Sequence, residues 1–331
     1  MVDGRRVGLV LGAGGPVGHA FHTGVLAALQ EGGWDAREAS VIVGTSIGAV
    51  TGALLRAGVS PEDLYARATG QPMSEDGAAR AGNGGGWALM TCDLQRSGTG
   101  IGRPSSPRLL AHFLRRPSRT RAGLLLAALT PSGAVSSAPV ADEIDEMLGR
   151  SWPDRPFWVC AVCLDTGERV ILGQPGGPAI DVGTAVAASI GVPAVFQPVV
   201  VDGRRLVDGG LHSPANADVI ADAIDQIDSV IVSAPMGIGS APGRVGIDVP
   251  GRYVNHWTTE KELRRVRDAG LPVTVFEPGP SELEVMRYNA FDLTRRDEIA
   301  RRAYEHVGSQ LHKALVTVSS PVGNTAVIDH P

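Results

Sequence analysis

Residues 7–58 hold the pattern that most restricts the fold. An apolar run, "VGLVL" at 7–11, passes into the glycine-rich stretch 12–18, "GAGGPVG", and then into a helical stretch. A second run, "VIV" at 41–43, passes into "GTSIG" and a further helical stretch that stops at Gly58. Short runs that are apolar at every position read as strands buried on both faces. Phe21, Val25, Leu26 and Leu29 share one face of the first helix, which Gly32 and Gly33 end. Strand, turn and helix, given twice, call for parallel strands joined by crossover helices. The expected fold class is α/β, with a mostly parallel central sheet flanked by helices.

The pattern lapses over about 70–140. Gly, Ser, Pro and Arg are dense in "GNGGG", "SGTGIGRPSSP" and "RRPSRTR". Long irregular segments in compact folds usually serve a function, and this one reads as a cap inserted over the sheet. "APVADEIDEMLG" is helical, with Ile144, Met147 and Leu148 inward. From 157 the alternation resumes. "FWVCAVCLD" and "RVILG" form a hairpin, and Asp202-Gly203 turns a second one within "QPVVVDGRRLVDGG". "DVGTAVAASIGVP" is a helix ended by Pro193. "NADVIADAID" is a helix, "SVIVSAP" a strand, "EKELRRVRDAG" a helix and "PVTVFEPG" a strand. A long terminal helix or pair of helices follows. With 331 residues and 43% hydrophobic content, one domain over 1–320 with a tail at 321–331 is expected.

Charge and cysteine usage exclude several classes. The net charge is -5 and no basic run stands out, so nucleic acid is not the main partner. Cys92, Cys160 and Cys163 make no disulfide framework. Cys160 and Cys163 have C-x-x-C spacing inside a strand, whereas a redox pair opens a helix and a zinc site needs a second pair. No run of ~18 apolar residues is present, so no membrane-crossing helix is expected. Arg5 and Arg6 precede an apolar run too short for a signal peptide, and a cytoplasmic protein is the default. Nothing in the sequence specifies an oligomeric state.

Three stretches carry the chemistry. Gly44-Thr45-Ser46-Ile47-Gly48 is a G-x-S-x-G turn between strand and helix. Such a turn projects a serine hydroxyl from the carboxyl end of a sheet beside a helix N-terminus. The segment from Gly12 to Gly18, through Gly14 and Gly15, has three readings: dinucleotide loop, oxyanion hole or plain tight turn. Val17 occupies the third-glycine position of the dinucleotide fingerprint, which counts against the first. Backbone N–H groups aimed at a tetrahedral intermediate suit the second. Asp208-Gly209-Gly210 leaves a strand and alone reads as a turn.

Together the three stretches resemble the patatin-like phospholipase family, over residues 7–58 and 157–235. "AVAASIGVPAVFQPVVVDGRRLVDGG", with Ala188-Ser189 and Pro193, resembles the approach to that family's catalytic aspartate. "WPDRPFWVCAVCLDTGERVILG" and "DGGLHSPANAD" resemble it more softly. The resemblance implies a three-layer patatin-like fold and a serine acyl hydrolase acting on lipid or other acyl esters. It makes Ser46 the nucleophile and Asp208 its general base, without histidine. It gives Gly14 and Gly15 N–H groups the oxyanion, supported by Gly12, Gly18, Gly44, Gly48, Gly209 and Gly210, with no metal or cofactor. Ala13 and Val17 depart from the family loop, where a glycine and a basic residue are usual.

Alternatives stay open at this point. An acyltransferase or thioesterase-like tailoring enzyme can use the same dyad, and a silent binding protein needs neither residue. His256 is the candidate third member of a Ser-Asp-His triad, and His212 follows Asp208 closely. His19 and His22 read as packing or hydrogen-bonding residues. "GLLLAALT" at 123–130 is either a lipid-facing cap helix or a core helix. Arg115, Arg116, Arg119 and Arg121 suit transient contact with an anionic membrane surface or a plain solvated face.

Overall fold

The computed structural model describes residues 6–82, 105–109, 127–239, 246–286, 290 and 292–319, the last seven as backbone only. Among them eight strands form one sheet. They are β1 Val7–Leu11, β2 Val41–Thr45, β3 Phe157–Cys163, β4 Arg169–Leu172, β5 Val199–Val201, β6 Arg204–Asp208, β7 Ser229–Ser233 and β8 Val273–Phe276. The helices are α1 Gly15–Glu31, α2 Ile47–Arg56, α3 Pro61–Ala68, α4 Glu75–Ala81, α5 Ala138–Leu148, α6 Val182–Ser189, α7 Val249–Glu262, α8 Arg264–Asp268, α9 Pro280–Val285 and α10 Arg296–Ser319.

The sheet order is β5-β6-β3-β2-β1-β7-β8, with β4 also on β3. From β3 to β8 the neighbours are parallel. The hairpins β3–β4 and β5–β6 are antiparallel, as predicted, and β6 also pairs antiparallel with β3. Side chains alternate between faces even though β1, β2 and β3 are buried throughout. Leu9, Ile42, Val159 and Ile231 join a core with α1, α2 and α6. Val10, Val43, Trp158 and Val232 join a second core with residues 217–223 and α8. Helices thus lie on both faces, in three layers. Each fully buried Leu, Ile or Val contributes about 1.5–3 kcal/mol, so the central strands are the most heavily stabilised part.

One detail of the register prepares the site. Val159 and Cys160 pair with β2 and with β4, so those two strands lie on opposite edges of β3. Ala161 and Val162 pair with β4 and with β6. Strands β2 and β6 therefore follow one another along the same edge. They run in opposite directions, and their carboxyl ends meet where Thr45 faces Cys160 and Asp208 faces Ala161.

Three elements differ from the sequence expectation. Residues Ala217–Gln226 form a 3-10 run with a non-helical Ala223, not an α-helix. A 3-10 run rises about 2.0 Å per residue against 1.5 Å in an α-helix, so these residues reach the start of β7 without a longer loop. Helix α6 ends at Ser189, four residues before Pro193, with Ile190 as its cap and Gly191 following, whose N–H turns to the Ala188 carbonyl. Helix α7 begins at Val249, eleven residues before the expected start; Tyr253, Val254 and Trp257 on it are exposed, which blurs its apolar period. The terminal stretch forms two helices, short α9 and long α10, one of the two forms the sequence allowed. Of the expected cap, Leu109 and Ala128 pack on Val162, Leu164 and Val207. The arginines at 115–121, residues 123–126 of "GLLLAALT", Cys92 and the 321–331 tail lie outside the described residues.

Candidate active site

Ser46 sits between β2 and α2 with φ 53° and ψ -122°. Such a backbone costs a non-glycine residue about 1–3 kcal/mol, so its surroundings must hold it. Its N–H donates to the Ser189 hydroxyl at 2.8 Å, which donates to the Cys160 carbonyl at 2.6 Å. The peptide is thus tied to β3 through one side chain. A Cβ on Gly48 would overlap the Leu11 carbonyl, so α2 approaches β1 this closely only with glycine there. Gly44 lies within β2.

Asp208 ends β6. Ser46 Oγ donates to Asp208 Oδ2 at 2.6 Å, across 162 residues of sequence. Asp208 Oδ1 accepts the Gly210 N–H at 2.6 Å, and the Asp208 N–H donates to the Gly191 carbonyl at 3.1 Å. Gly209 packs on the Cys160 carbonyl, where a Cβ would overlap it. Both side chains are buried. Burial pushes the Asp208 carboxyl up to about 6, against the hydrogen bonds from Ser46 and Gly210. Above that pH it is ionised, and it is a stronger base than an exposed carboxylate.

The glycine loop faces this pair. Gly12 N–H donates to the Ser233 carbonyl at 2.9 Å and Ala13 N–H to the Pro214 carbonyl at 2.7 Å. Gly14 precedes α1, Gly15 opens it with φ 59°, and Gly18 N–H closes its first turn on the Gly14 carbonyl. The N–H groups of Gly14 and Gly15 stand at a helix start, where no intrahelical acceptor exists. Both residues line a cavity of about 270 Å³ with Ser46 and Asp208. Its other walls include Ile47, Ile190, Val192, Phe196, Leu211 and Met236. An apolar chain fits those walls, and the starts of α1 and α2 favour negative charge at the reacting end.

His22 fixes the loop from behind. A carbonyl only accepts, so Nε2–H donates to the Gly12 carbonyl at 2.9 Å and Nδ1 accepts from the Ser233 hydroxyl at 2.8 Å. Burial lowers its pKa to about 4, so the ring is neutral. His19 meets the Thr51 hydroxyl at 2.9 Å, and burial lowers it to about 3. His256 Nδ1 meets Glu277 Oε2 at 2.6 Å, while the Ser46 hydroxyl goes to Asp208. A triad through His256 is not what the fold assembles. His212 lies just past the turn after Asp208, in the field of Asp218. Cys160 and Cys163 are free and buried in β3, and burial pushes Cys160 up to about 12.

Two residues here carry no sequence expectation of a role. Ser189 was legible only as part of a family stretch. Asn216, at φ 49°, donates from Nδ2 to Thr45 Oγ1 at 3.2 Å, the Gly209 carbonyl at 3.2 Å and the Ser213 carbonyl at 2.7 Å. It joins the ends of β2 and β6. An Asn after a Ser-Pro dipeptide gives only a turn signal.

The family model for patatin-like phospholipases matches residues 9–221, which span both Ser46 and Asp208. Uncharacterised NTE family proteins of Mycobacterium tuberculosis and Mycobacterium bovis are 28% identical over 242 residues, covering 72% of this chain and 51% of theirs. The chain thus spans about half the length of these relatives. Among solved structures, VipD from Legionella pneumophila is similar at 14% identity and TM-score 0.45, over 93% of this chain and 67% of VipD. ExoU in its complex with SpcU from Pseudomonas aeruginosa is similar at 17% identity and TM-score 0.40, over 94% of this chain and 52% of ExoU. On the extent of the family match, the chain belongs to the patatin-like phospholipases.

Proposed function

We propose that this protein is a serine acyl hydrolase of lipid-type esters, built on a Ser46–Asp208 dyad in one domain over 1–320. The supporting observation is the 2.6 Å hydrogen bond from Ser46 Oγ to Asp208 Oδ2, made inside an apolar cavity at the starts of two helices. The ester's acyl chain lies along Ile190, Val192 and Phe196. Ser46 Oγ attacks the carbonyl carbon as its proton passes to Asp208 Oδ2. The carbonyl oxygen becomes an oxyanion held by the N–H groups of Gly14 and Gly15. When the intermediate collapses, the ester C–O bond breaks and Asp208 returns the proton to the leaving alkoxide. Water then enters, gives a proton to Asp208 and attacks the acyl-enzyme. Collapse of that second intermediate frees the acid and restores the Ser46 hydroxyl.

Burial brings Asp208 to about 6, close to the range of imidazole, so a carboxylate can fill the histidine's place. Val17 and Ala13 leave the backbone donors of the loop in place.

A fluorophosphonate probe and p-nitrophenyl esters of graded chain length test this. Labelling is expected on Ser46 and lost in Ser46→Ala, with turnover lost in both Ser46→Ala and Asp208→Asn. An unlabelled Ser46, or full turnover in either variant, sinks the dyad. An acyl-enzyme that persists in water and turns over only with added alcohol makes the protein a transferase.

A further inference from the structure

Large apolar side chains standing singly on a surface are ordinary; a cluster is not. Among the described residues seven are conspicuously exposed, and five of them fall between 236 and 257. Ile247 is 90% exposed just before α7; Val254 is 64% and Trp257 67% exposed on it, with Tyr253 beside them. Residues 253, 254 and 257 share one helix face at i, i+1 and i+4 spacing. The fifth, Met236, is also a wall of the reactive cavity.

Helix α7 is fastened to that wall. Asn255 Nδ2 donates to the Met236 carbonyl at 3.1 Å, and Arg252 Nη1 donates to the carbonyls of Pro235 and Gly237 at 2.9 and 3.1 Å. The apolar ridge is therefore held beside the cavity through short contacts. One turn past Trp257 comes exposed Lys261, followed by exposed Arg264 and Arg265. Asp248 pairs with Arg252 and Glu260 with Arg267, while Asp268 stands exposed one turn past Arg264. Asp222 stands 3.7 Å from Arg265, which remains exposed.

We infer that this face of α7 docks the protein on an anionic lipid surface. Trp and Tyr suit the level of the headgroups, Ile247 and Val254 the acyl boundary, and Lys261, Arg264 and Arg265 the anionic phosphates. Docking there brings Met236 and the cavity mouth to the lipid, so an acyl chain need not cross water. The orientation draws its purpose from the hydrolase reading, but the binding does not depend on turnover.

Flotation of the full chain with vesicles separates the two. Ser46→Ala protein is mixed with vesicles of equal parts phosphatidylcholine and phosphatidylglycerol, or of phosphatidylcholine alone. It is expected to float with the mixed vesicles and to bind the neutral ones about tenfold less. Val254→Ser with Trp257→Ser is expected to lower binding about tenfold or more, with the melting temperature unchanged. Lys261→Glu with Arg265→Glu is expected to remove the preference for anionic lipid. No flotation with either vesicle, or flotation indifferent to these variants, overturns the inference. So does a dimer that the Val254 and Trp257 changes dissociate, since the face then belongs to a second copy. Flotation with an unlabelled Ser46 in the parent protein keeps the docking and removes the hydrolase reading.

Discussion

Two carboxylates meet strand β6, one near each end, and they are tuned in opposite directions. Asp165 faces Arg205, which holds it through Nη2 and through Nε at 3.0 Å. That guanidinium holds the Asp165 carboxyl below its ordinary range. Asp208, three residues past Arg205, has a serine hydroxyl and a backbone N–H as partners and no cation among the described residues. Burial pushes it up to about 6. The exposed-to-buried gradient along five residues of β6 accounts for the difference. A carboxylate beside a cation is a fastening. One buried without a cation keeps an appetite for protons, which suits Asp208 to the proposed transfer from Ser46.

The largest effect expected from this contrast is on turnover. If Asp208 is the base of the proposed dyad, Asp208→Asn is expected to lower kcat/KM by about 10³-fold or more, whereas Asp165→Asn is expected to stay within about threefold. In the parent, kcat/KM should rise with pH and level off above a midpoint near 6, because Asp208 accepts a proton only when ionised. A flat profile from pH 5 to 8, read on a short soluble ester, would break the comparison at its centre.

Next comes the Ser46 backbone. Ser189→Ala leaves the Ser46 N–H without its acceptor and the Cys160 carbonyl without its donor. A buried unpaired group costs about 1–3 kcal/mol, and the strained Ser46 turn loses its tie. The expected outcome is a lower melting temperature together with a roughly tenfold or greater fall in kcat, while KM for a short ester changes little. Ser189→Thr, which keeps the hydroxyl, should recover part of both. An unchanged kcat in a correctly folded Ser189→Ala would reduce Ser189 to a packing residue.

The third effect reverses the usual sign of a damaging substitution. Asp208 has a folded-state pKa of about 6 against an ordinary value of 3.8. The fold therefore prefers the protonated form, and ionisation costs stability as pH rises through that window. About two pKa units correspond to about 3 kcal/mol, reached above pH 6 and absent below about 4. Asp208→Asn has no such cost. Denaturant unfolding at pH 8 should find it more stable than the parent by up to about 3 kcal/mol, with the advantage vanishing at pH 4.

How much of this was legible in the sequence differs by element. Strands β1 and β3 are apolar throughout, β2 and β7 carry apolar cores at Val41–Val43 and Val230–Val232, and Asp202-Gly203 is a strong turn signal, so the sheet and its hairpins could be read directly. Ser46 and Asp208 could be named from their glycine settings and their resemblance to a family. What could not be read is the register. Only the pairing of β3 with both β2 and β6 on one edge brings the two residues together, and register is a long-range property. Ser189 and Asn216 act through hydroxyl and amide geometry that leaves no periodic trace. The 3-10 run at Ala217–Gln226 has an amphipathic pattern close to that of an α-helix, and tertiary span chose between them.

The smallest effect belongs to the fastening itself. The Asp165–Arg205 pair is partly exposed, at 19% and 33%, so solvent screens it. Arg205 also donates to the Ser105 carbonyl at 2.8 Å, a bond that survives removal of the carboxylate's charge. Asp165→Asn is therefore expected to cost only about 1 kcal/mol at pH 7. Because the folded-state pKa of Asp165 is depressed, the parent holds this advantage above the ordinary carboxylate range and loses it as pH falls through the folded value. The two aspartate variants should thus give stability differences of opposite sign at pH 8, and both should shrink in acid. If Asp165→Asn instead stabilised the protein as Asp208→Asn does, its arginine would not be the cause of its low pKa, and the contrast along β6 would collapse.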